Sequence, residues 1–159
     1  MEGAVLFGIE PSTINMGKAK YTIGKGVYME WDDKKHLEKG EKIYFPDFQK
    51  WFCNNCFEKF IEINQDLKYE ESFSKVSFIS KGHKTIIMEF YKTTKENPIF
   101  TFEEGVIKIG ECHLVLDEIF ENKNERKIKT TLKFGGTFID VTGIHLKTGK
   151  TVKTTLTFD

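Results

Sequence analysis

Residues 132–159, LKFGGTFIDVTGIHLKTGKTVKTTLTFD, constrain this chain more than any other stretch. Val152, Thr154, Leu156 and Phe158 alternate with Thr151, Lys153, Thr155 and Thr157. That period of two describes a strand with one apolar and one polar face. On the preceding strand Ile139 and Val141 share a face, with Phe138, Asp140 and Thr142 on the other. Lys147-Thr148-Gly149-Lys150 supplies the turn, where Gly149 is free to take a positive φ. The chain therefore closes on an antiparallel hairpin.

Upstream, the same period recurs. Residues 19–31 read as strand, glycine kink, strand: Tyr21 and Ile23 precede the Gly24-Lys25-Gly26 kink, and Val27, Met29 and Trp31 follow it. Residues 72–80 and 85–93 are expected to pair as a hairpin about Lys81-Gly82-His83-Lys84. Ile86, Met88 and Phe90 share one face of the second strand. Residues 99–102, 105–116 and 128–134 complete the strands, with a break at Gly110. Residues 3–9 are a short apolar run ended by Pro11.

One segment departs from this pattern. Phe48, Trp51, Phe52, Cys56, Phe60 and Ile63 recur at spacings of three and four, which predicts an amphipathic helix over about 47–63 with Asp47 as its N-cap. The charge run at 32–42 reads as a solvated loop, and His36 within it receives no role. Residues 117–127 read as a mobile polar loop. Many short strands with one inserted helix point to a mainly β antiparallel sandwich or barrel.

Composition narrows the function. The 24 basic and 24 acidic residues balance, so nothing directs the chain to nucleic acid or an anionic membrane. Three cysteines, an odd number, argue against a secreted disulfide scaffold, and no signal peptide or spanning segment is recognised. A cytoplasmic protein is expected. Cys53-Asn54-Asn55-Cys56 falls inside the predicted helix rather than at its start, which favours inert buried thiols over a redox pair. No second CxxC completes a zinc site, and the adjacent Cys112 and His113 are poorly placed for joint ligation, so no metal is expected. His83 and His145 lack a suitably placed nucleophile, and no phosphate-cradling glycine motif occurs. A binding module is favoured over an enzyme.

The hairpin's Ile139-Asp140-Val141-Thr142-Gly143 followed by Lys147-Thr148-Gly149-Lys150 resembles the substrate-binding β-sandwich of the 70-kDa heat-shock chaperones. The resemblance is closest to their divergent 12A/12B subfamily. It extends to Gly3-Ala4-Val5-Leu6-Phe7-Gly8 with Pro11, to residues 21–27, and to Cys53, Phe57, Lys59 and Phe60. Phe100, Gly105-Val106, Gly110 and Phe134-Gly135 follow in the same order.

The resemblance implies that residues 1–18 are the tail of an ATPase domain with its linker, and that 19–159 are a substrate-binding-like sandwich. It implies binding of apolar peptide segments or unfolded proteins, in partnership with an ATPase domain. ATP and magnesium would belong to that preceding domain, so no cofactor and no catalysis are expected of this chain. The peptide site would be formed by Val27, Met29, Phe78, Ile86 and Met88. Lys25 falls where the family usually has an apolar residue. Two alternatives stand beside this reading: a sandwich whose pocket is filled and which serves only protein contacts, and a small-ligand β-barrel.

Overall fold

The computed structural model describes residues 15–157. The apolar run at 3–9, the break at Pro11 and the outer position of Phe158 lie outside the described residues. Eleven strands and one short helix run in the order β1 (Asn15–Lys18), β2 (Thr22–Glu30), α1 (Asp33–His36), β3 (Lys42–Phe45), β4 (Lys50–Ile61), β5 (Asp66–Lys68) and β6 (Ser72–Phe78). There follow β7 (Thr85–Thr93), β8 (Ile107–Val115), β9 (Lys127–Phe134), β10 (Phe138–His145) and β11 (Thr151–Thr157). They form a four-stranded sheet in the order β11-β10-β9-β6, a five-stranded sheet in the order β3-β4-β2-β7-β8, and a β1-β5 ribbon. All pairings are antiparallel.

The two larger sheets bury one core between them. Ile23, Phe60, Ile61, Met88, Phe90 and Leu114 come from the five-stranded sheet; Ile128, Leu132, Ile139, Val141 and Leu156 come from the other. Burying side chains of this size against one another is the main favourable term in such a fold. The described sheets are open and packed on each other, so the β-sandwich expectation holds and the barrel alternative does not.

The closing hairpin forms as its periodicity requires. Ile139 pairs with Leu156 and Val141 with Thr154, with Ile139, Val141 and Leu156 all buried. Gly149 takes φ +78° and its amide donates to the His145 carbonyl at 2.8 Å. The strand expected over 85–93 is β7, with Met88 and Phe90 fully buried while Ile87 is 56% exposed.

The helix expected over 47–63 is corrected by the structure: that segment is mostly the long strand β4. Two bulges explain the false helical period. Asn54 and Asn55 together oppose Tyr28 alone, because Cys53 pairs with Met29 and Cys56 with Val27. Phe60 is a second extra residue, between the pairings of Lys59 with Gly24 and of Ile61 with Ile23. Each bulge stretches a spacing of two into three, so buried residues recur at Cys53, Cys56, Phe57, Phe60 and Ile61. Asp47 caps nothing; it sits in the β3–β4 turn and pairs with Arg126.

Three further expectations change. The glycine kink at 24–26 is continuous strand within β2; a Cβ on Gly24 would collide with the Glu58 carbonyl and the Phe57 ring, so glycine permits close approach of β4. Strands β6 and β7 do not pair: β6 lies against β9, and β7 against β2 and β8. The ends of the 79–84 turn are drawn to different sheets, Ile79 N–H donating to the Arg126 carbonyl and Leu116 N–H to the Lys84 carbonyl. The loop at 117–127 carries a 3₁₀ turn at Lys123–Glu125 and is anchored by Arg126, which is fully buried.

Candidate functional site

The five residues expected to form a peptide site do not meet. Met88 is fully buried in the main core, where its sulfur accepts from the Thr130 hydroxyl at 3.8 Å, and Ile86 packs against the same core. Val27 and Met29 pack instead on a second cluster made by Cys53, Cys56 and Phe100. Phe78 is exposed, because the inward positions of β6 are Phe73 and Ser77.

Phe78 does join a different feature. Tyr28 meets Phe45 edge to face at 5.0 Å between ring centroids, and Phe45 meets Phe52 at 5.0 Å. Phe52 meets Phe48 at 5.5 Å, and Phe48 meets Phe78 at 5.0 Å. This row of half-exposed rings bridges the two sheets, from β2 through β3 and β4 to β6. Lys123 lies 5.2 Å above the Phe48 ring and Lys127 6.0 Å above that of Phe78. Strand β3 is the edge of its sheet among the described residues. The aromatic richness of the segment was legible, but its assignment to a helix hid the row, which forms only across paired strands.

Between the sheets lies a polar group in an apolar setting. Lys25 points inward from β2, and its ammonium donates to Ser77 Oγ at 3.1 Å and Thr130 Oγ1 at 3.0 Å. Burial pulls its pKa down, against the attraction of Glu58. Burial pushes the Glu58 carboxyl up, and its Oε1 is buried without a hydrogen-bond partner. The signs follow. A depressed Lys25 contributes stability that is complete above its unfolded pKa of ~10.4 and is lost as pH falls through its folded value. A raised Glu58 contributes stability that is complete below its unfolded pKa of ~4.3 and is lost as pH rises through its folded value. Neutral pH lies below the first of these unfolded values and above the second, so both contributions are incomplete there. The double variant Lys25→Met, Glu58→Gln is expected to be more stable than the parent by ~1 kcal/mol or more near pH 7. That gain should shrink towards acid and towards alkali; urea unfolding across pH measures it, and an unchanged profile would refute the assignment.

The second cluster gathers chemistry that spacing alone did not reveal. Residues i and i+3 of a regular strand face opposite sides, but the Asn54-Asn55 bulge, with Asn55 at φ +56°, turns Cys53 and Cys56 to one side. Helix α1, with Asp32 accepting the Lys34 amide at its N-cap, carries His36 onto them. The loop after α1 is tied to the bulge through Asn54, whose N–H and Nδ2 donate to the carbonyl and carboxylate of Glu41. His36 Nε2 and Cys56 Sγ are 3.7 Å apart, and the ligand atoms of His36, Cys53 and Cys56 lie within 4.8 Å of one another. All three residues are buried. The solvated-loop expectation for His36 is corrected: only 2% of it is exposed. Its position upstream of a CxxC was the available signal.

Burial disfavours charge on Cys56 and on His36. Burial, with a contribution from the neighbouring Cys53 sulfur, pushes the Cys56 thiol up to about 12 despite the Met29 backbone hydrogen bond. Burial also lowers the pKa of His36. A redox thiol needs the opposite shift. Phe100 closes one side, 5.8 Å from the His36 ring, held by Glu103, whose carboxylate accepts the Ile99 and Phe100 amides at 2.6 and 2.7 Å. His145, by contrast, is a satisfied core residue bridging Thr148 and the Glu125 carbonyl at 2.8 and 2.6 Å. No helix among the described residues is long and apolar enough to cross a membrane.

No family model matches the chain. It is similar to heat shock 70 kDa protein 12A of Homo sapiens, 31% identical over 161 positions that cover 99% of this chain and 23% of that protein. The Mus musculus protein of the same name shows the same identity and coverage. Heat shock 70 kDa protein 12B of Homo sapiens is 26% identical over 166 positions, covering 99% of the chain and 24% of that protein. The chain thus spans about a quarter of the length of the curated relatives it matches. The resemblance read from the ordered motifs holds along nearly the whole sequence.

Proposed function

We propose that this chain, similar along nearly all of its length to heat shock 70 kDa proteins 12A and 12B, is a cytoplasmic, non-catalytic β-sandwich module of the heat-shock 70 substrate-binding type that grips extended apolar segments of other proteins. The observation that carries the reading is the bridging row of rings from Tyr28 through Phe45, Phe52 and Phe48 to Phe78. Such a row offers apolar area along one direction, which suits an extended peptide rather than a compact ligand. Strand β3 beside it presents edge backbone groups for strand addition. With no net charge, recognition rests on shape and apolar contact. Of the residues expected from the sequence, Phe78 belongs to this surface, whereas Ile86 and Met88 pack in the main core and Val27 and Met29 on the second cluster. Any ATP-linked gating belongs to a partner ATPase domain.

A labelled apolar heptapeptide should bind the folded chain saturably. The variant Phe52→Ser, Phe78→Ser should weaken that binding by about tenfold or more while leaving far-UV circular dichroism unchanged, since losing two aromatic contacts removes ~1–3 kcal/mol. Absence of saturable binding to the folded parent would defeat the proposal. The filled sandwich serving only protein contacts is the second reading, and it is favoured by Met88, whose side chain is fully buried in the core rather than lining an open pocket.

A further inference from the structure

We propose that His36, Cys53 and Cys56 form a zinc site that fastens the α1 loop to the β4 bulge. Tetrahedral zinc with bonds of ~2.3 Å to sulfur and ~2.0 Å to nitrogen holds a sulfur and a nitrogen ligand ~3.5 Å apart. Cys56 Sγ and His36 Nε2 stand 3.7 Å apart, and Cys53 Sγ completes a triangle whose sides do not exceed 4.8 Å. The bulge is what turns both sulfurs to one side of the strand. Gly40 leaves no spare room there: a Cβ on it would sit 2.9 Å from Cys53 Sγ, so the loop lies directly over that sulfur.

The chemistry agrees with the geometry. Two thiolates and one imidazole are a soft donor set that suits zinc. Zinc with two thiolates carries no net charge, which matters for residues that are fully enclosed. Loading releases about two protons, one from each thiol, as two Zn–S bonds form. The Asp32 amide donates to His36 Nδ1 at 3.0 Å, which places the metal-free ring proton on Nε2, facing Cys56. Zinc takes the Nε2 lone pair, so the ring proton moves to Nδ1 and the Asp32 amide must turn away. The fourth position is left to a water molecule enclosed with the ion.

The test uses the full chain, purified under reducing conditions. Zinc content by mass spectrometry should approach equimolar after equilibration with zinc and desalting. Cobalt(II) in place of zinc should give thiolate-to-cobalt charge-transfer absorption. Cys53→Ser and Cys56→Ser should each abolish that band, and His36→Ala should lower zinc affinity by at least about tenfold. Cys112→Ser, which leaves the cluster intact, should change nothing. Nitrogen-15 shifts of the His36 ring should report the proton on Nε2 without metal and on Nδ1 with zinc. A folded parent that stays metal-free in excess zinc, or that gives no charge-transfer band with cobalt, would overturn the proposal whatever the variants do. So would recovery of the native chain with a Cys53–Cys56 disulfide that zinc and reductant do not displace.

Discussion

Met88→Asp is expected to leave no stably folded protein. Met88 is fully buried at the centre of the sandwich, its methyl group so close to Gly143 that a Cβ there would approach it to 2.7 Å. A carboxylate at this point either ionises in apolar surroundings or takes a proton and leaves the thioether's volume empty. Lys25, which shares the Thr130 hydroxyl with Met88, is a nearby cation, but it is itself desolvated, and an ion pair does not restore the lost packing. The expected cost is about 4 kcal/mol or more, against a total of ~5–15 kcal/mol for a domain of this kind. Thermal unfolding by circular dichroism should show the variant unfolded, while Met88→Leu should stay within ~1.5 kcal/mol of the parent and keep its peptide affinity. A folded Met88→Asp chain that has lost peptide binding would instead place Met88 in an open pocket and return the site to the residues expected from the sequence.

What the sequence revealed, and what it hid, follows from how far apart the interacting residues are. The closing hairpin was readable because its register depends on neighbours across a short turn, and alternation there is unbroken by bulges. Strand β7 was readable for the same reason of regular alternation. Strand β4 was not, because two inserted residues shifted its parity twice and the result imitates a helix. Its partners Lys42–Phe45 and Thr22–Glu30 decide its conformation, and pairing of that kind is not encoded in local periodicity. The expected β6–β7 hairpin failed for a related reason. A glycine turn between two apolar strands is necessary for a hairpin but does not stop the chain from crossing to the other sheet. The same limit explains the sites. The parities of Ile86 and Met88 were right, but parity does not say which face is interior and which face carries a groove. His36 was read from its charged neighbours, whereas its environment is set by a loop that folds back over the bulge.

Arg126 shows how a polar residue inside a loop supports the proposed binding surface, and its removal is expected to be costly. The guanidinium is fully buried, donating from Nε to the Ile79 carbonyl at 3.0 Å and from Nη1 to the carbonyls of Glu121 and Phe120 at 2.6 and 3.4 Å. Its Nη2 pairs with the Asp47 carboxylate. One side chain thus joins the end of β6, the 117–126 loop and the β3–β4 turn, the turn that also carries Phe48. Lys123 reinforces the junction by donating to the Asp47 carbonyl at 3.3 Å while lying over the Phe48 ring. Arg126→Leu leaves three carbonyls and a carboxylate without their donor. The expected loss is ~3–5 kcal/mol, or roughly 6–20 °C in Tm for a chain of this size. Asp47→Asn keeps an acceptor for the guanidinium and should cost less, ~1–2 kcal/mol. Because the junction sets the position of Phe48 between Phe52 and Phe78, Arg126→Leu should also weaken heptapeptide binding at temperatures where the variant is still folded. Asp47→Asn should weaken it less. Equal stability of Arg126→Leu and the parent would show that the buried guanidinium is not a structural staple. A destabilised Arg126→Leu that binds peptide normally would separate the aromatic row from the recognition of apolar segments.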